Sequence, residues 1–252
     1  MGNELILLGC GKSGADSVAA TTLASQFTAA NSEYLSVAND ANLQFGNEDF
    51  SVANWVWFDS ATTFPSPVGK WATGGNTREY TFYYNTISSK YGFFVSSDGT
   101  VNSGVFPTAT TASGAWHYVV GAHDSVNNLL KISIDGAAFE TAAYTLGCNA
   151  NTSAFTIGFP DASLLGTYWD GRVCKAGVWR KVLSADEVTQ LYNSGNGLAY
   201  CQLDAGLKTS LEGYWNLSES SGTRADSTAN ANNLTDNNTV TGNPGVGSGN
   251  CL

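Results

Sequence analysis

The chain has 252 residues and a formal net charge of −10, with 42% hydrophobic but only 13% charged residues, enough apolar material for one large β domain or two small ones. The acidity is spread thinly, without the basic stripe that nucleic acid requires or the polybasic patch that an anionic membrane requires. The longest apolar run, LILL at 5–8, is too short to span a bilayer. The polar residues are mainly Gly, Asn, Ser and Thr, which suit turns and strand faces, so the composition predicts an all-β protein.

In chain order, LILLGCGKSG (5–14) carries two motif fragments. Leu-Leu-Gly-Cys resembles a lipoprotein cleavage site, but too few residues precede Cys10 and the only early charge is Glu4, whereas an export signal opens on basic residues. Gly11-Lys12-Ser13 resembles the end of a phosphate-binding loop, but that loop needs a Gly where Ile6 stands. The stretch reads as an edge strand running into a Gly turn, within an arm at 1–24.

Strand patterns follow at FSVANWVWF (50–58), REYTFYYN (78–85) and YGFFV (91–95), with Asp98-Gly99 as a hairpin turn. AWHYVVGAHD (115–124) and LLKISIDG (129–136) alternate and flank Asn127-Asn128, so they read as a hairpin. AFTIG (154–158) and GRVCKAGVW (171–179) add two more strands. One short helix is predicted at 184–194. Ser184 and Glu187 form a capping box, Val188, Leu191 and Tyr192 make an apolar stripe, and Gly195 closes it. From Leu217 on, composition alone suggests a disordered tail. The five cysteines are scattered and odd in number, and with two histidines they do not suggest zinc; reduced thiols are expected, with Cys251 the one suited to an intermolecular bridge.

The order and spacing of FSVANWVWF, WHYVVGAHD, LLKISIDG, AFTIG and DGRVCKAGVWRKVLSADEVTQLYNSGNG (170–197) resemble the laminin G-like, concanavalin A-like lectin and glucanase superfamily. The resemblance implies an antiparallel two-sheet jelly-roll sandwich of about twelve to fourteen strands, with its body at 25–200. In that superfamily, segments like GYWNLSESSGTRADSTANANNLTDNNTV (213–240) come first, ahead of matches to SQFTAANSEYLSVANDANLQF (25–45). Here the order is reversed, so the fold is expected to be permuted, with 201–252 completing the sandwich. Three routes are open: closure within the chain, donation to a neighbouring subunit through Tyr214, Trp215 and Leu217, or a truncated tandem repeat.

The resemblance also frames the chemistry. Glucanases of the superfamily carry Glu-x-Asp-x-x-Glu on one strand, and no Glu here has an Asp two residues later, so a non-enzyme is expected. His117 reads as a sheet-face residue and His123 as a hydrogen-bonded turn residue, neither as part of a catalytic triad. Related sequences place Asp-Glu for calcium where this chain has Cys174-Lys175. Asp226, Asn230 and Asn232 could form a calcium loop, set against an ordinary Asx-rich turn, and no other cofactor is implied. Trp71, beside Lys70 and glycines 74–75, is a candidate glycan-stacking residue because its loop lacks strand alternation. Arg78, Tyr80 and Tyr168 are weaker candidates, and a packing role competes at each.

The phrases FTAANSEYLSV, VSSDGT and LYNSGNGLAY are similar to laminin G-like proteins of tailed bacteriophages. The expected function is therefore a virion structural protein, decorating a capsid or joining a tail, as a homo-oligomer or with phage proteins. With no export signal, it would be assembled in the host cytoplasm. The alternative is a carbohydrate-binding module or adhesin for a surface polysaccharide.

Overall fold

The computed structural model describes residues 23–59, 64–159 and 168–244. The motif fragments at 5–14, nearly all of the expected arm, and Cys10 and Cys251 lie outside these residues.

Two antiparallel sheets face each other. The first runs in the spatial order β10 (Glu140–Ala143), β9 (Leu129–Ile134), β8 (Trp116–Asp124), β3 (Phe50–Phe58), β12 (Gly171–Trp179), β1 (Leu23–Phe27) and β15 (Thr241–Pro244), with β13 (Leu211–Trp215) also on β12. The second runs β14 (Thr235–Asn237), β2 (Tyr34–Val37), β11 (Phe155–Ile157), β4 (Val68–Lys70), β5 (Tyr80–Asn85), β6 (Lys90–Ser96) and β7 (Asn102–Val105). The architecture is the all-β sandwich expected from the sequence, slightly richer in strands because the polar tail contributes two of them.

Strand alternation builds the core between the sheets. Phe50, Val52 and Val56 of β3 and Val119 of β8 meet Tyr80, Phe82 and Tyr84 of β5 and Phe93 of β6, all buried. The opposite face of the first sheet is buried as well. Trp55, Tyr118, Val120, Trp179 and Tyr214 pack beneath Val188 and Leu191 of helix α1 (Ala185–Tyr192) and Leu207 of the single-turn helix α2 (Ala205–Lys208). Being covered on both sides explains why β3 reads as nearly continuous apolar sequence.

Helix α1 starts as expected, with the Glu187 amide donating to Ser184 Oγ and the Ser184 amide donating to Glu187 Oε2. It ends earlier than expected, at Asn193, which takes the left-handed conformation (φ 48°) assigned from sequence to Gly195. Asn tolerates that geometry nearly as well as Gly.

The C-terminal segment closes the sandwich within its own chain. One edge of β12 pairs with β3, and the other is shared end to end by β1 (Ser25↔Val173) and β13 (Ala176↔Trp215). Strand β14 pairs with β2, and β15 pairs with β1. The Trp215 indole stacks on Phe155 of the opposite sheet, with centroids 4.9 Å apart, and its Nε1 donates to the Asn232 carbonyl at 2.8 Å. Tyr214 is buried under α1 and donates from its hydroxyl to the Leu198 carbonyl, while Leu217 lies in the core between the sheets.

Buried Arg224 holds these pieces together. It donates from Nε to Ser25 Oγ (3.0 Å), from Nη2 to the Val240 carbonyl (2.8 Å) and from Nη1 to the Gly222 carbonyl. The tail is ordered despite its composition because these specific partners and buried Leu234 and Val240 replace the missing apolar bulk.

The cysteines depart from expectation. Cys174 and Cys201 each take part in a disulfide, and Cys148 is a buried free thiol.

Between the β1 and β13 portions of its edge, β12 bulges, and Lys175 sits there with φ 48°. Its ammonium donates to the Asn196 carbonyl at 2.7 Å, and burial pulls its pKa down to about 8. The unfolded chain holds this proton up to about pH 10.4. Between those values the unfolded state binds more protons, so stability rises with pH, and the buried charge is a cost below pH 8. Lys175→Met is expected to stabilise the protein by about 2 kcal/mol at pH 7. That advantage should shrink toward zero near pH 10, as read by urea denaturation at the two pH values.

Trp215→Ala should cost about 3–5 kcal/mol in the same assay, the loss typical of a buried Trp. A chain ended after Ala199 should fail to fold as a monomer, because β12 would lose much of one edge; circular dichroism and size-exclusion chromatography would show this.

Candidate functional site

Helix α1 and its flanking loops cover the outer face of the first sheet, which directs attention to the outer face of the second. There, alternation turns Tyr83 of β5 and Phe94 of β6 outward while their neighbours fill the core. With Trp71 just after β4 and Phe106 just after β7, they make one aromatic row across four strands. The rings meet edge to face, at 6.1 Å for Trp71–Tyr83, 5.4 Å for Tyr83–Phe94 and 5.3 Å for Phe94–Phe106.

Two glycines make the row possible. A Cβ at Gly92 would lie 2.5 Å from the Phe106 ring, and one at Gly104 would lie 2.4 Å from the Phe94 ring. The rings therefore lie against bare backbone. Exposure increases along the row. Trp71 (1%) and Tyr83 (8%) are buried, Phe94 is half-buried, and Phe106 is 38% exposed. Asn102, paired with Ser96 on this face, offers an exposed carboxamide nearby.

Next to the exposed end, a cavity of ≈ 230 Å³ is lined by Pro107, Thr110, Ile132, Ile134, Asp135 and Glu140. Its carboxylates are already engaged. Asp135 accepts the Tyr118 amide and pairs with His117 Nδ1, each at 2.8 Å, and Glu140 accepts the Thr108 amide and hydroxyl. The rest of the lining is mostly apolar.

The residues singled out from sequence are placed as follows. Trp71 belongs to the aromatic row but is buried, with the Arg78 guanidinium 6.0 Å from its ring centre, so it supports the row and offers no face to a ligand. Its position directly after β4 continues the strand's face, which a lack of alternation in the loop concealed. Arg78 also donates to the Thr100 carbonyl. Tyr80 points the other way, fully buried in the core with its hydroxyl on the Leu43 carbonyl at 2.9 Å, so it cannot meet a sugar. Tyr168 is half-buried, stacked on Phe159 at 4.2 Å and near Tyr34, in a separate cluster. Tyr83, Phe94 and Phe106 were not anticipated; the available signals were the glycines at 92 and 104, which face aromatics on the neighbouring strand.

Of the two readings of the 226–232 loop, calcium site or Asx-rich turn, its hydrogen bonds favour the turn. Asp226 Oδ1 accepts the Tyr214 and Thr228 amides, and Oδ2 accepts the Thr228 hydroxyl and the Asn232 amide, all within 3.0 Å. Asn230 donates to the Glu212 carbonyl, and the Asn232 carbonyl is taken by Trp215. Donors saturate the carboxylate, so the loop is an Asx-type staple under β13. Among the described residues no cluster of metal-ligating side chains occurs. At the positions where relatives carry Asp-Glu, a disulfide sulfur and a buried ammonium stand instead.

Among the described residues neither histidine is hydrogen-bonded to a Ser, Thr or Cys side chain. His117 spans Asp135 and the Ala112 carbonyl, which makes it a brace as well as a sheet-face residue. His123 lies buried on β8 with Nδ1 2.8 Å from the Glu48 carbonyl, and burial lowers its pKa.

Solved structures share this architecture. A candidate carbohydrate-binding protein from Bacteroides ovatus superposes with a TM-score of 0.67 at 16% identity, covering 88% of this chain and 60% of that one, so the chain spans well under two thirds of that relative. The heptameric SAP-like pentraxin of Limulus polyphemus superposes with a TM-score of 0.53 at 13% identity over 72% of this chain and 86% of that one. No curated protein sequence matches. The family model for the concanavalin A-like lectin/glucanases superfamily matches residues 29–189, more than half the chain, from just after β1 into α1, and the protein therefore belongs to that superfamily.

Proposed function

We propose that this protein is a carbohydrate-binding module whose sugar rings stack on Phe94 and Phe106 at the open end of the aromatic row. The observation that carries this reading is the row itself, the outward aromatic surface of a sheet that α1 leaves uncovered. Phe94 and Phe106 lie against glycine backbone and keep part of their surface exposed, which offers aromatic surface to a sugar's apolar face. Asn102 supplies a polar partner beside it, and the cavity next to Pro107 can take a pendant hydroxymethyl group. Superfamily membership and the likeness to the Bacteroides ovatus protein support the same reading.

The disulfide-bonded state of Cys174 and Cys201 supports action outside the reducing cytoplasm. Binding without turnover is favoured because the chain lacks the Glu-x-Asp-x-x-Glu run. This reading takes precedence over the virion-subunit expectation, because Trp215, which would lock neighbouring subunits in the exchange route, is seated against its own chain.

The test is a glycan array followed by calorimetry on any binder. Binding is expected, with affinity unchanged by EDTA, and Phe94→Ala with Phe106→Ala should weaken it roughly tenfold or more while the fold persists. An array without a binder, or affinity unaltered in the double variant, would sink the proposal.

A further inference from the structure

Lys70 closes β4 and points into the sandwich, as Val68 does. Glu79 precedes β5, and Asn151 lies in the connection between β10 and β11. The Lys70 and Glu79 side chains are fully buried, and Asn151 is 6% exposed. The Lys70 Nζ lies 3.1 Å from Glu79 Oε2, 3.0 Å from Asn151 Oδ1 and 2.5 Å from the Asn151 carbonyl oxygen. The carboxamide carbon is one C=O bond beyond Oδ1, hence no more than about 4.2 Å from Nζ.

Every other contact prepares this carboxamide for acyl transfer. Oδ1 accepts the Ser153 amide at 2.8 Å and the Ser153 hydroxyl at 2.6 Å, donors placed where an oxyanion would form. Nδ2 is buried without a hydrogen-bond partner, so nothing ties down the leaving group. Glu79 Oε1 is fixed by the Phe45 and Gly46 amides, which leaves Oε2 facing the amine.

We propose that Lys70 and Asn151 become joined by an intramolecular amide bond after folding, with Glu79 carrying the proton. Burial lowers the Lys70 pKa and raises that of Glu79, against their mutual attraction, so both shifts favour the neutral amine and the neutral acid. The ammonium passes one proton to Glu79, and the amine lone pair then attacks Asn151 Cγ while the carbonyl electrons move to Oδ1. On collapse, Glu79 gives its proton to Nδ2 and takes one from the former amine. The Cγ–Nδ2 bond breaks and ammonia leaves, so the step needs no oxidant or co-reactant. Attack requires the carboxamide to turn its carbon toward Nζ, a small rotation of one side chain.

The neighbouring ionisable groups are bystanders. Cys148 donates from Sγ to the Glu79 carbonyl with its thiol pushed well up by burial, and Tyr80 is likewise held neutral on Leu43. The tie would join the end of β4 to the β10–β11 connection independently of any glycan.

The test is the intact mass of the full chain, denatured and reduced, with peptide mapping. The expected mass is lower than the sequence mass by one ammonia, with a branched peptide linking Lys70 to Asn151. Lys70→Arg and Glu79→Gln should retain the full sequence mass. Folded wild-type protein of full mass without the branched peptide overturns the proposal, however the variants fold. A deficit that persists in Lys70→Arg places the ammonia loss elsewhere and overturns it too.

Discussion

The buried guanidinium of Arg224 is the contact on which this arrangement turns. It reaches Ser25 on the first described strand while holding the carbonyls of Gly222 and Val240 in the last segment. Burying an Arg without a directly paired carboxylate is costly unless its nitrogens find acceptors, and here a hydroxyl and two backbone carbonyls each take one bond, from Nε, Nη1 and Nη2. Sequence-distant ends are thereby made neighbours, and β12 can be completed on one side by two separate strands. The bulge at Lys175 falls at the gap between those strands, where no single partner could span the edge.

The apolar layers follow from that closure. One core lies between the sheets, and a second lies between the first sheet and α1. With one outer face covered by a helix, the aromatic row lies on the other, where glycines thin the sheet. Which outer face carries the row is thus set by where the polypeptide spends its helix.

Much of this was legible in the residues. The range FSVANWVWF coincides with β3 and GRVCKAGVW with β12, because long runs of β-branched and aromatic residues have few other uses. The reversed order of the closing segment was legible as well. The site was less so. In YTFYYN the aromatics occupy both faces, so nothing local distinguishes core Tyr80 from outward Tyr83; that depends on register with β6. Strands as short as β4 and β7 carry too little pattern to be seen alone, and they are the ones that bring Trp71 and Phe106 into line. The choice between a calcium loop and an Asx-rich turn was hidden for a similar reason. The composition of the 226–232 loop suits a metal as well as a staple, and only the amides that converge on Asp226 decide between them.

Pairing of β1 with β15 sets Leu23 opposite Pro244 at one corner of the body. The two ends of the described body therefore lie side by side. Tension applied at Leu23 and Pro244 would unzip this ladder one hydrogen bond at a time, instead of shearing it all at once.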